Sequence, residues 1–225
     1  MGKALRDITF EEWLSYVFDH PADDHGQEWY WDPNADWWGG SAADTIQYLT
    51  RAFENAAVEF QPYSDAQLNQ GLWFIASNAC SDHMLALLDP DVPWPARQQC
   101  IHSIKDLYGQ CFARRCTPHL SHADEPGAGP LNPVCYMWWD IIPLYGKPDD
   151  PGRKELDLAV LGVLESTLQL DSVACQESAL HGLGHWQLYY PKQVMEIIDT
   201  FLQRQAALPE ALRVYAMSAR RGHVL

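Results

Sequence analysis

Apolar residues recur at helical spacing in every strongly patterned part of this chain. The clearest run starts at Leu156 and keeps the i, i+3, i+4, i+7, i+8 spacing as far as Leu168, and residues 194–202 repeat it. Such spacing places one apolar stripe along an α-helix. Runs of alternating β-branched residues, which are typical of strands, do not occur. The pattern predicts an all-α fold of stacked antiparallel helix pairs, arranged as an α-α superhelix or as a compact helical array.

Capping residues and prolines divide the chain into helices and loops. Thr9 and Glu12 have the spacing of a capping box, in which each side chain accepts a hydrogen bond from a free amide at a helix start. Prolines and glycines mark residues 20–41 and 117–133 as loops. A length of 225 residues is typical of one domain, so we expect a single all-α domain over residues 1–225.

Composition narrows the class of protein. Thirty Asp and Glu residues against fifteen Lys and Arg residues give a net charge of −15, and a chain so acidic is repelled by nucleic acid. Nowhere do eighteen apolar residues follow one another, so no membrane association is expected. The six cysteines are few for this length and fall mostly in helical patterns, which is typical of free thiols in a reducing compartment. The sequence therefore predicts a cytoplasmic protein.

One segment of the second half resembles a known helical repeat. Within residues 172–202 the small residues Ala179, Gly182 and Gly184 stand beside leucines, and Pro191 follows near the start of the next helix. Small residues let helices approach closely. This segment resembles one HEAT-type repeat, whose usual period is about 40 residues. The resemblance implies HEAT-like stacked helix pairs with one curved, ligand-binding face and no catalytic residues.

The same segment contains a candidate metal site. Glu177, His181 and His185 follow one another at four-residue intervals and share one face of a helix. A histidine pair at i and i+4 can bind one metal ion, and a carboxylate can complete the site. In the zincin pattern a glutamate directly follows the first histidine, but Gly182 stands there in this chain. Two interpretations stay open. These side chains bind zinc or another divalent metal, or, as we favour, they line the outer or concave face of a repeat without any cofactor.

Two further clusters contain residue types that bind metals. The first has the spacing Cys-x4-Cys-x2-His-x2-His and consists of Cys111, Cys116, His119 and His122. This spacing is tighter than that of zinc fingers, and Cys111 also fits an apolar helix stripe as a buried thiol. The second cluster consists of His20, Asp23, Asp24 and His25. Pro21 and Gly26 beside it indicate a solvated polar turn.

An acidic, tryptophan-rich segment is the strongest functional signal. Five tryptophans lie among residues 13–38, and residues 1–50 hold ten acidic and two basic side chains, a net charge of −8. The candidate binding residues are Trp29, Trp31, Asp32, Asp36, Trp37 and Trp38. Tryptophan contributes binding energy at protein interfaces, and charge steers association. We therefore predict a non-enzymatic module for a basic protein or peptide. Its most specific form is a bacterial immunity or antitoxin-like protein that neutralises a basic toxin. The other interpretation is that the rings only plug one end of the helical stack.

The alternative hypothesis is an enzyme, namely a metal-dependent hydrolase of a helical class that uses His181, His185 and Glu177 with carboxylates from another helix. No Gly-rich phosphate loop, nucleophile elbow or dinucleotide fingerprint is present in the sequence. The sequence therefore favours the non-enzymatic hypothesis. Neither hypothesis identifies the partner, the substrate or the oligomeric state, and metal analysis of the purified protein discriminates between them.

Overall fold

The protein is an array of packed α-helices. A computed structural model describes residues 2–22, 27–204 and 208–224. Helix makes up 64% of the structure and strand 2%, which confirms the predicted all-α class and a compact helical array. The helices in the described ranges are α1 (Phe10–Phe18), α2 (Ala42–Glu54), α3 (Ala56–Glu59), α4 (Asp65–Ala76), α5 (Trp94–Leu107), α6 (Ala113–Arg115), α7 (Asn132–Ile141), α8 (Lys154–Leu168), α9 (Val173–Trp186), α10 (Pro191–Arg204) and α11 (Glu210–Ala219).

Three of the helices begin with a reciprocal capping box. In each box the first side chain accepts a hydrogen bond from a backbone amide one turn later, and the later side chain accepts one from the backbone amide of the first residue. The pairs are Thr9 with Glu12, Ser41 with Asp44, and Ser64 with Gln67. The first pair was predicted from its spacing. These caps explain why α1, α2 and α4 start where they do.

Helix α9 lies at the centre of the array. It packs against α7, α8, α10 and α11, and every side chain from Ala174 to Gly184 is buried. A second group of helices, α1, α2, α4 and α5, packs onto this one through contacts of α4 with α7 and of α5 with α8. The buried apolar side chains form a connected core that includes both Phe10 and Ala219. In the described part of the chain, no helix combines the length and the apolar character needed to cross a bilayer.

The helix that begins at Trp94 continues through a π-helical turn, Tyr108–Phe112, into the short α6. Within this turn the hydroxyl of Tyr108 is fully buried and lies 2.7 Å from Oγ of Ser178 on α9. Just beyond it, the guanidinium of Arg115 donates to the carboxylate of Asp65 and to the carbonyl oxygens of Phe60 and Tyr63. The irregular turn therefore places two polar side chains that join α5 and α6 to other helices.

Two short strands were not predicted from the sequence. Strand β1 (Ala4–Leu5) pairs in parallel with β2 (Trp37–Trp38). The amide of Trp37 donates to the carbonyl of Lys3 at 3.0 Å, and the amide of Gly39 donates to the carbonyl of Leu5 at 2.8 Å. Two residues per strand are too few to show alternation. The pair attaches the tryptophan-rich segment to the start of the chain.

Candidate functional site

Two of the four tryptophan rings in residues 29–38 attach this segment to the helices. Trp29 lies in a 3₁₀ turn, Trp29–Trp31, and stacks on the imidazole of His20 with ring centroids 4.1 Å apart. Its ring also contacts Phe74 of α4 at 4.6 Å and Tyr16 of α1 at 5.2 Å, edge to face. Such packing orients the ring and limits its motion. Trp29 is therefore half-buried and fixed.

Trp38 is fixed by hydrogen bonds as well as by packing. Its indole N–H donates to Oγ1 of Thr45 at 2.8 Å, and its backbone N–H donates to the hydroxyl oxygen of Tyr16 at 3.1 Å. By contrast, Trp31 is 47% exposed and Trp37 is 51% exposed. Two of the four rings thus hold the segment in place, and two present apolar surface to solvent.

Two depressions share a wall in this region. The first has a volume of about 360 Å³ and includes Trp29, Trp37, Trp38, Asp36 and Asp82 in its lining. The second has a volume of about 550 Å³ and shares Trp29 and Asp36 with the first. Both volumes lie in the range of ligand pockets. We call the residues Trp29, Asp32, Asp36, Trp37, Trp38 and Asp82 the acidic aromatic surface.

The charges on this surface are all negative. Asp32, Asp36 and Asp82 are exposed, and no Lys or Arg is among the described residues that line the two depressions. Oδ1 of Asp36 accepts the backbone N–H of Lys3 at 2.7 Å, and Oδ1 of Asp32 accepts that of Asn34 at 2.8 Å. Each of these carboxylates still has a second oxygen available to a ligand.

His83 forms part of the wall and is held neutral. The indole N–H of Trp13 donates to its Nε2 at 3.1 Å, while its Nδ1 lies 2.9 Å from Oγ of Ser81. The Ser81 hydroxyl donates in turn to the carbonyl of Phe74 at 2.6 Å. Complete burial lowers the pKa of His83 to about 3. The imidazole therefore adds no positive charge to the acidic aromatic surface at neutral pH.

Burial also keeps the neighbouring phenols protonated. Desolvation raises the pKa of Tyr16 and that of Tyr30, two residues that line the first depression. A protonated hydroxyl is both a donor and an acceptor. The lining therefore combines carboxylates, apolar rings and neutral hydroxyl groups, which suits a ligand that is positively charged at one end and apolar along its length.

No protein family, curated protein or solved structure matches this chain. Function must therefore be argued from the geometry of its sites.

The histidine pair of α9 lies close to Asp140, a residue that the sequence did not single out. Nε2 of His181 and Nε2 of His185 lie 3.1 Å apart, and Oδ1 of Asp140 lies 3.4 Å from Nε2 of His185. Asp140 belongs to α7, which packs against α9. Nδ1 of His181 lies 2.8 Å from the hydroxyl of Tyr215 on α11. Burial, followed by the neighbouring His185, lowers the pKa of His181 to about 3.

Glu177 belongs to a different arrangement. Its carboxylate is fully buried and accepts the backbone N–H groups of Ser121 and His122, each at 2.9 Å. Oε1 also lies 2.6 Å from Nδ1 of His122. The expectation that Glu177 and His181 line an outer or concave face is wrong, because both side chains lie inside the array. Both are buried because α9 has neighbours on all sides.

Members of the cluster Cys111, Cys116, His119 and His122 have different surroundings in the structure. His122 pairs with Glu177, whereas Cys111 is buried and desolvation raises the pKa of its thiol to about 12. Nε2 of His20 lies 2.7 Å from the carbonyl oxygen of Tyr16. Asp23, Asp24 and His25 lie outside the described residues.

Asp82 and His83 were also missed by sequence reasoning. They follow α4 and lie more than forty residues beyond Trp38. The sequence did contain a local signal, because His83 is a polar residue at the start of the otherwise apolar segment His83–Leu88. What the sequence could not show is that this segment folds back against the tryptophans.

Proposed function

We propose that the protein is a binding module whose acidic aromatic surface holds Lys or Arg side chains of a basic protein or peptide. The observation that carries this proposal is the joint exposure of Trp37 with the carboxylates of Asp32, Asp36 and Asp82 around a depression of about 360 Å³. Binding is the function, and no chemical step is required at this surface.

Charge supports a cationic ligand. The protein carries a net charge of −15, so association with a basic partner is accelerated by long-range attraction. The same carboxylates would repel an acidic ligand. Because they are exposed, each contact contributes modestly, about 0.5–1 kcal/mol.

Aromatic rings support ligands with long side chains. A Lys ammonium or an Arg guanidinium over an exposed Trp ring gains about 0.5–1 kcal/mol from the cation–π interaction. The aliphatic part of the same side chain covers apolar ring surface. Trp37 is exposed for such contacts, while Trp29 and Trp38 are already fixed by His20 and Thr45 and so lose little entropy on binding.

A peptide titration tests the proposal. The probe is a synthetic twelve-residue peptide in which Lys and Arg alternate with Gly and Ser, and binding is followed by isothermal titration calorimetry. The double variant Asp32→Asn with Asp82→Asn should bind about five- to thirtyfold more weakly, because two exposed charge contacts are removed. The matched control is Asp149→Asn with Glu165→Gln, which removes the same charge at exposed positions elsewhere.

The controls separate a specific surface from general attraction. Trp37→Ala should weaken binding at least about fivefold, whereas Leu188→Ala, a loss of a 79% exposed apolar side chain, should leave it unchanged. If the two charge variants weaken binding equally, attraction by net charge explains the result and the proposal is wrong. Equal binding of a peptide with Glu in place of Lys and Arg would also contradict it.

Two finer hypotheses belong to this proposal. Neutralisation of a basic toxin, as by a bacterial immunity protein, is one form of binding that fits an acidic surface. The HEAT-like identification of residues 172–202 corresponds to α9 and α10, two helices joined by a short turn. A metal-dependent hydrolase is not put forward, because the carboxylate of Glu177 is occupied by Ser121 and His122.

A further inference from the structure

We propose that Asp140, His181 and His185 form a binding site for one zinc ion, with a solvent molecule as the fourth ligand. This site lies on α7 and α9 and shares no residue with the acidic aromatic surface. The inference is independent of the proposed binding function.

The two helices bring the three ligands together. His181 and His185 are one turn apart on α9, so their side chains project from the same face. Asp140 follows Trp139, and a Cβ added at Gly182 would lie only 2.7 Å from Cβ of Trp139. The absence of a side chain at Gly182 therefore permits the close approach that carries Asp140 to the two imidazoles.

Two of the three distances between ligand atoms are close to those of tetrahedral coordination. Zinc–nitrogen and zinc–oxygen bonds of about 2.0–2.2 Å place neighbouring ligands of a tetrahedron about 3.3–3.6 Å apart. The two Nε2 atoms lie 3.1 Å apart, and Nε2 of His185 lies 3.4 Å from Oδ1 of Asp140. All three ligand atoms lie within 4.8 Å of one another.

The donor set suits zinc. Two imidazole nitrogens and one carboxylate oxygen are ligands that zinc takes in sites with three protein ligands, and softer ions prefer thiolates. The side chains of His185 and Asp140 are 38% and 41% exposed, so solvent has access to the fourth position. The single negative charge of the Asp140 carboxylate would offset half of the charge of a bound zinc ion.

A buried hydroxyl orients one of the ligands. Nδ1 of His181 lies 2.8 Å from the Tyr215 hydroxyl, which itself lies 3.3 Å from the hydroxyl of Tyr136. Zinc binding requires the tautomer in which the Nδ1–H of His181 donates to the Tyr215 oxygen, because Nε2 then keeps a lone pair for the ion. Tyr215 is therefore a positioning residue for the site.

Zinc titration of the 225-residue chain tests the proposal. After removal of metals with a chelator, zinc chloride is added in a calorimeter, and cobalt(II) is added in parallel for its absorption spectrum. We expect one zinc ion per chain with a dissociation constant of about 10 µM or tighter, and an intense visible cobalt band of tetrahedral type. His185→Gln and Asp140→Asn should each weaken zinc binding at least about a hundredfold, and Tyr215→Phe about tenfold.

Matched controls are available for each ligand variant. His102→Gln and Asp149→Asn alter exposed residues of the same types and should bind zinc as the wild type does. Circular dichroism of the metal-free variants checks that they fold, and the two ligand variants change partly exposed side chains. Any one of three results would overturn the proposal. The wild type fails to bind zinc at about 100 µM, both ligand variants bind zinc as tightly as the wild type, or the cobalt spectrum is octahedral.

Discussion

The contact at Gly182 makes a quantitative prediction about stability. An ideal Cβ at this position would lie 2.7 Å from Cβ and Cγ of Trp139 and 2.8 Å from Cδ2 of Leu164. Carbon atoms in contact are normally about 3.5–4.0 Å apart, so α7 and α8 would have to move by roughly 1 Å. Overpacking of this kind costs about 1–3 kcal/mol. Gly182→Ala should therefore destabilise the protein even though alanine favours helix.

Gly162 provides the matched control. It lies in α8, is exposed, and has no atom within 4 Å of an added Cβ. Gly162→Ala should stabilise the protein by about 0.5–1 kcal/mol through helix propensity alone. Because both variants share that gain, the difference between their free energies of unfolding isolates the packing cost at Gly182. We expect a difference of about 1–3 kcal/mol.

Urea unfolding followed by far-ultraviolet circular dichroism measures this difference. Equal slopes of free energy against urea concentration in the three proteins would show that only stability has changed. A difference below about 0.5 kcal/mol, within the usual scatter of surface substitutions, would refute the close approach of α7 and α9. The explanation for the position of Asp140 would then fail as well.

Two other predictions concern buried polar contacts. Because the pKa of His83 is lowered to about 3 in the folded protein, its neutral form stabilises the fold above the unfolded pKa of about 6.5, and this contribution is lost as the pH falls toward 3. Urea unfolding at several pH values between 6 and 4 measures how the free energy of unfolding changes with pH. The slope should be smaller in His83→Gln than in the wild type by about 1.4 kcal/mol per pH unit. An unchanged slope would show that His83 is already protonated in the folded wild type. In the same assay, Arg115→Met should lower the free energy of unfolding by about 1–3 kcal/mol, because it removes the hydrogen bonds to Asp65, Phe60 and Tyr63. The control is Arg114→Met, at an exposed position on the same helix, which should change stability by less than about 0.5 kcal/mol. Similar losses in both arginine variants would argue against the Arg115 contacts.

Local patterns in the sequence were sufficient to predict the fold class. The capping box at Thr9 and the spacing from Leu156 to Leu168 depend on neighbours within one or two turns, and the structure has helices at both places. The shared face of His181 and His185 follows from the same periodicity. These features depend on chain geometry that three or four residues determine.

Contacts between distant residues could not be predicted in this way. Asp140 stands forty-five positions before His185, and nothing in its own helix distinguishes it as a ligand. Glu177 has the correct spacing on α9, yet the loop at Ser121 occupies its carboxylate with backbone amides. The parallel pairing of β1 with β2 likewise joins residues about 33 positions apart. Each of these contacts depends on how whole elements pack, which a single sequence does not specify by periodicity.

The enclosed position of α9 gives the two proposed sites different motions. Its backbone hydrogen bonds are surrounded by α7, α8, α10 and α11, so its amide hydrogens exchange with solvent only when the array as a whole opens. In the segment from Trp29 to Trp38, two rings are held by the helices, whereas the exposed side chains of Trp31 and Trp37 can change rotamer within nanoseconds. A partner can therefore reorient the Trp37 ring of the acidic aromatic surface at small cost, whereas the buried imidazole of His181 stays in place between one opening of the array and the next.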